Sequence, residues 1–313
     1  MPLPRVTVRG LQALLAVYEE QSFSRAAERE HATQSGMSSQ LKNLETTLGT
    51  PLIVRGRGEM TLTPTGQLAY AHGRDILRRL FELEERVAQM RGLVTGTIRL
   101  GVIPALTRAV LPRAMELFHA DYPGVEITVF EEYSFSLMRR VAEGEIDCAA
   151  VPAGDILPGL RASFLASDRE VLVARARSEP GRPHLAPVRP TDLSGLEFVL
   201  PSSINVRRKA LETYFRAHGV EIGAVLEMDA MLGTIELVGT SDWCTILPTA
   251  ICVPDLAGQV RTLHPIVDPP IHTNYVVVQK AEKAPTHAME GIIAHFQTAA
   301  GAIRAEWDDA VSA

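Results

Sequence analysis

Cysteine is scarce in this chain. Three occur among 313 residues, at Cys148, Cys244 and Cys252. Each sits among apolar neighbours, in IDCAAV, DWCTIL and TAICVP. That is the setting of reduced, buried thiols. It argues against a disulfide framework and against a zinc site with paired ligands. The nine histidines are scattered, without metal-ligand spacing. A Walker-type phosphate loop, an HExxH helix and a nucleophile elbow are all missing. Neither an enzyme nor a bound cofactor or metal is therefore expected. The opening residues MPLPRVTVRG hold no apolar signal core, and no apolar run is long enough to span a membrane. A cytoplasmic protein with no membrane partner is expected.

What is present suits a chain of two or three domains with real cores. Hydrophobic residues make up 46% and charged residues 22%. The net charge of −6 argues against nucleic acid, but it is unevenly spread. Up to residue 92 there are 12 Lys and Arg against 10 Asp and Glu. The rest carries 19 against 27. That sign is the one expected if only the N-terminal part meets an acidic polymer.

Leu11, Leu14, Leu15 and Tyr18 recur at helical spacing. Ser22 can cap a short second helix from Phe23 to about Glu30. Its Ala26 and Ala27 would let another helix approach closely. Thr33 can cap a third helix, about Gln34 to Leu48. Met37, Leu41, Leu44 and Leu48 form its apolar stripe. Ser35, Ser38, Ser39 and Lys42 occupy the opposite face. Two helices joined by a tight turn, the second with an uncluttered polar face, form a helix-turn-helix. The N-terminal N–H groups of that helix attract phosphate, and Gln34 can pair with adenine in the major groove. PLIVRGRGEMTLT then reads as a hairpin tipped with arginines, a wing suited to DNA backbone or minor groove. Each piece alone also fits a three-helix bundle with a solvated hairpin. The ordered set does not.

Residues 8 to 66 resemble the winged helix-turn-helix of LysR-type transcriptional regulators, through RGLQALLAVYEEQSFSRAAE, TQSGMSSQLKNLETTLGTPLIVRGRG and LTPTG. The resemblance puts Thr33, Gln34, Ser35 and Ser38 at DNA, and Arg55 and Arg57 on the wing. Glu30 stands where a buried leucine is usual. A lone buried carboxylate is costly, so Glu30 is expected to reach solvent or to pair with Arg29 or His31. Ser35 replaces a frequent proline and Ser39 a frequent arginine.

After Pro64 the spacing changes. Ile76, Leu80, Leu83, Val87 and Met90 follow steps of four, three, four and three, a coiled-coil seam. A helix over 65–91 would be roughly 40 Å long. A core helix packed within its own chain also fits. The narrow stripe favours a partner helix, and the resemblance implies a dimerising linker.

From Thr95 strands and helices alternate, which implies a parallel sheet covered by helices. The resemblance extends to about residue 300. It implies two α/β lobes like those of periplasmic binding proteins. The expected fold is thus α/β, with three parts. Residues 1–64 form the winged domain, 65–92 the linker and 93–305 an effector domain. Its first lobe is about 93–163 with 267–305, and its second about 164–266. Ligands in such folds sit beyond the carboxyl ends of strands. Pro104, Ala105, Leu106 and Thr107 belong there, with Ser134 and Phe135, and with Ser202, Ser203 and Asn205. Hydroxyls beside free helix N–H groups suit a small anion such as a carboxylate. Singly, each Ser or Thr reads as an ordinary cap. Arg207 and Arg208 offer cations.

The resemblance implies a homodimer or homotetramer, double-stranded promoter DNA as partner, and a small-molecule effector. A thiol-based redox regulator of the same fold is the alternative. A solute-binding protein is a weaker one, because it leaves the N-terminal domain unexplained.

Overall fold

The structure is a computed structural model that describes residues 5–55, 60–89, 94–176, 182–203 and 205–312. Met1–Leu93 and Val94–Ala313 form two compact units.

The first unit opens with helices α1 (Val8–Glu20), α2 (Phe23–Arg29) and α3 (Gln34–Leu48). Side-chain caps set all three starts. Thr7, Ser22 and Thr33 hydroxyls accept from the N–H groups of Gly10, Arg25 and Gly36. Ala26 and Ala27 are buried against Met37, Leu41 and Leu44, as helix contact through small residues requires. Leu48 departs from the expected stripe. It is 40% exposed, because α3 ends there at the left-handed Gly49 and outruns the core. Glu30 is half-buried and lies 3.5 Å from Arg29, which resolves its departure from an apolar residue. Strands β1 (Ile53–Arg55) and β2 (Met60–Leu62) form an antiparallel hairpin. Helix α4 (Pro64–Gln89) follows, capped by Thr63. Its Gly66 lies against the hairpin, where a Cβ would come within 2.0 Å of the Leu52 carbonyl oxygen. Only glycine permits that approach.

In the second unit, the chain runs β3 (Thr95–Val102), α5 (Pro104–Thr107), α6 (Val110–Asp121), β4 (Gly124–Glu131), α7 (Ser134–Glu143) and β5 (Cys148–Pro152). β3 is parallel to both β4 and β5. β6 (Leu160–Arg175) is next, then β7 (Phe198–Leu200), α8 (Val206–Ala217), β8 (Val225–Glu227), α9 (Met231–Thr240), β9 (Thr245–Pro248) and α10 (Thr249–Cys252). β10 (Arg261–Pro265), β11 (His272–Lys280) and α11 (His287–Ser312) complete it.

β6 joins two lobes. Its residues Leu160–Arg169 pair with β11, which also pairs with β5. From Glu170 onward it pairs instead with β9 and β10. The changeover thus falls at 169 and 170, later than the 163 and 164 expected from sequence. β10 and β6 had no strand reading at all. The first half of β6 is mostly exposed and carries no continuous apolar run, and so gives little local strand signal. α11 buries Met289, Ile292, Phe296, Ala299, Ile303 and Trp307 at helical spacing and packs on α6. It runs seven residues past the expected end at 305.

Candidate functional site

The polar face of α3 is open to solvent. Thr33, Gln34, Ser35, Ser38, Ser39 and Lys42 are all exposed, while Met37, Leu41 and Leu44 beneath them are buried. The Thr33 hydroxyl is committed to the cap, with Ser35 Oγ 3.3 Å away. Gln34 and Ser38 make no hydrogen bond through their side chains among the described residues, so their polar groups are available to a ligand. Arg55 ends β1, but its side chain is not among those described, and Arg57 lies outside the described residues.

Along α4, Ile76 (45%), Leu80 (37%) and Leu83 (58%) are exposed. Leu77 on another face packs into the core of the unit. The side chain of Val87 is not among those described, and Met90 lies outside the described residues.

A cleft of about 590 Å³, part of it open to solvent, lies between the two lobes of the second unit. Pro104, Ala105 and Ser134 line it from the first lobe, and Asn205 from the second. Ser134 opens α7 and Asn205 caps α8, whose Arg207 N–H donates to Asn205 Oδ1 at 3.0 Å. Two helix N-termini, each with partial positive charge, thus meet one cleft. The Tyr133 hydroxyl donates to the Asp229 carbonyl and ties the lobes at its edge.

Five other expected residues do not line it. Leu106 is buried in the first-lobe core, because α5 turns that face inward. The Thr107 hydroxyl donates to the Pro104 carbonyl, so it closes its own turn. Phe135 is 66% exposed and turned outward. Ser203 is exposed, and Ser202 lies one residue past the lining Pro201. The Ser202 N–H donates to Asp229, while its hydroxyl is buried without a partner.

Neither arginine supplies a free cation. Arg208 donates to Glu212 and to the Pro201 carbonyl. Arg207 lines the cleft, but Glu170 accepts two of its hydrogen bonds, at 3.3 and 2.7 Å, and the Ile246 carbonyl a third. Part of the remaining lining was not legible in sequence. Met228, Met231 and Thr234 come from the segment around α9, Thr245 and Leu247 from β9. β6 pairs with β9 and packs against α9, which brings the two segments together.

The thiols are buried. Burial, reinforced by Asp147, pushes Cys148 up to about 12. Burial also raises Cys252 well above the usual thiol range, with Asp168 adding to it. Among the described residues no cluster of His, Cys, Asp or Glu fits a metal, and no helix is long and apolar enough to cross a membrane.

A winged helix-turn-helix and a two-lobed α/β domain with a cleft, in one chain, define a DNA-binding transcriptional regulator. Residues 8–67 match the bacterial regulatory helix-turn-helix of the lysR family, and residues 91–301 match the LysR substrate binding domain. The chain belongs to the LysR family. It is 30% identical to the HTH-type transcriptional activator IlvY of Salmonella typhimurium, over 68% of this chain and 72% of that protein. A cysteine-to-aspartate variant of full-length OxyR from Pseudomonas aeruginosa superposes with a TM-score of 0.71 at 18% identity, over 93% and 94% of the two chains. CbnR in complex with its target DNA superposes at 0.60 and 20% identity, over 94% and 99%.

Proposed function

We propose that this regulator reads promoter DNA with the N-terminal half of α3 and responds to a small anionic effector in the interlobe cleft. The observation that carries the first part is the exposed polar face of α3 over its buried stripe. Gln34 opens that face, with an amide that can pair with adenine. Ser38 follows one turn later. Lys42 adds a charge for phosphate. Gln34→Ala is expected to cost about 1–3 kcal/mol at the operator and to relax preference at one base position. Titrations on operator and random DNA test this. An equal loss on both would remove Gln34 from base reading.

The second part rests on the convergence of the α7 and α8 N-termini, with Ser134 and Asn205, on one apolar cleft. An anion there would accept bonds from both lobes and favour one lobe orientation. That differential affinity is what a switch needs.

Self-association through α4 follows from Ile76, Leu80 and Leu83. Three exposed apolar side chains along one line of a helix lower their free energy by meeting a partner. Leu80→Glu with Leu83→Glu puts like charges into that seam. Sedimentation is expected to show a smaller assembly with weaker operator binding. An unchanged assembly would place the interface elsewhere. A regulator of promoter DNA acts in the cytoplasm. The redox reading is the poorer one, because sensor thiols need accessible, electropositive surroundings and these three are buried.

A further inference from the structure

Thr234 sits in α9 and lines the cleft. It is 5% exposed. Four helical threonines of this protein, Thr46, Thr213, Thr240 and Thr298, turn their hydroxyls onto the carbonyl one turn back. Thr234 does not. Its backbone N–H donates to Ala230, while its hydroxyl makes no hydrogen bond among the described residues. Nor is that oxygen among the fully covered polar atoms without partners. That oxygen keeps some accessible surface, and Thr234 is part of the cleft wall.

The polar groups beside it are already committed. The Thr245 hydroxyl donates to the Val199 carbonyl at 2.9 Å, and Arg207 is held by Glu170 and Ile246. Val199, Leu200, Met228, Met231 and Leu247 add apolar lining. Met228 and Met231 are flexible side chains that fit an irregular apolar body. A hydroxyl that faces the cleft without a protein partner can bond a bound group in place of water.

We infer that Thr234 is a specificity-determining residue, and that the effector is a small monocarboxylate with a mostly apolar body bearing one hydroxyl or carbonyl group. The carboxylate meets the helix N-termini at Ser134 and Asn205. The apolar body lies against Met228 and Met231. The substituent bonds the Thr234 hydroxyl. This rests on the cleft being the effector site.

Calorimetry on the full chain tests it. The probes are pentanoate, hexanoate and octanoate, each beside its hydroxy- and oxo-substituted counterparts, with adipate and inorganic phosphate as further arms. At least one substituted acid is expected to bind about tenfold tighter than its parent, the worth of one hydrogen bond. Thr234→Val, which keeps the shape and removes the hydroxyl, closes that gap. Thr234→Ser keeps it. An unchanged gap in Thr234→Val overturns the role of Thr234. Preference for the plain acids, binding only of adipate or phosphate, or no binding by any acid overturns the ligand class. The Ser134→Ala, Asn205→Ala double variant separates the underlying reading. If a substituted acid binds it at full strength, the cleft itself is not the anion site.

Discussion

Replacing Glu170 with alanine is expected to destabilise the second unit by about 3–5 kcal/mol. Glu170 is 3% exposed and sits where β6 leaves β11 for β9. Its carboxylate accepts two hydrogen bonds from Arg207 and one, at 2.6 Å, from Thr273 of β11. Burial alone would lower the Arg207 pKa. The charge and hydrogen bonds of Glu170 outweigh it and hold the guanidinium above its usual value. Without Glu170 that cation stays buried and charged, with only the Ile246 carbonyl to face it. The cost is therefore the stranded charge, more than the lost pair. Glu170→Leu with Arg207→Met removes both charges and is expected to recover most of the loss. Urea unfolding of the three proteins measures this. A loss below about 1 kcal/mol for Glu170→Ala would mean that water reaches Arg207 easily.

Asp168 is expected to make stability fall as pH rises from 4 to 7. Burial pushes its carboxyl up to about 6, from an ordinary value of 3.8. Hydrogen bonds from Thr249 and Ala250 favour the charged form but do not overcome burial. The nearby Glu170 charge adds to the rise. The sign follows from linkage. The folded chain keeps this proton up to about pH 6, while the unfolded chain has lost it above 3.8. The stabilisation is full below 3.8 and disappears as pH passes through 6. A shift of this size corresponds to about 3 kcal/mol. Asp168→Asn has no such proton. Its stability relative to the natural protein is expected to improve by about that amount between pH 4 and 7. Unfolding free energies across that range decide it. Parallel curves would mean that Asp168 titrates normally.

Much of the DNA-binding unit was legible because its signals are local. Ser22 and Thr33 cap the helices that follow them, and Met37, Leu41 and Leu44 recur every three or four residues. A helix satisfies its own backbone, so periodicity and caps within a few residues define it and its open face. Glu30 was legible too, as a residue that had to find Arg29 or water. The linker stripe was read the same way, since Ile76, Leu80 and Leu83 share one line on a single helix.

The cleft was legible only in part. Strand ends and helix starts led to Pro104, Ala105, Ser134 and Asn205, which do line it. The same rule led to Thr107, whose hydroxyl bonds its own turn, and to Leu106, which faces the core. Position after a strand does not say which way a side chain points. Thr234, Met228 and Met231 carried no signal, because nothing near them in sequence distinguishes a cleft wall from a core. Glu170 meets Arg207, 37 residues away, only because β6 carries it there. By itself, the sequence determined the helices, their caps, the polar face of α3 and the alternation of strands and helices. Tertiary structure alone decided where β6 changes partners, which side chains line the cleft, and which charges are buried together. Those depend on pairings between distant segments, whose free energy comes from burial and hydrogen bonds that no local window contains.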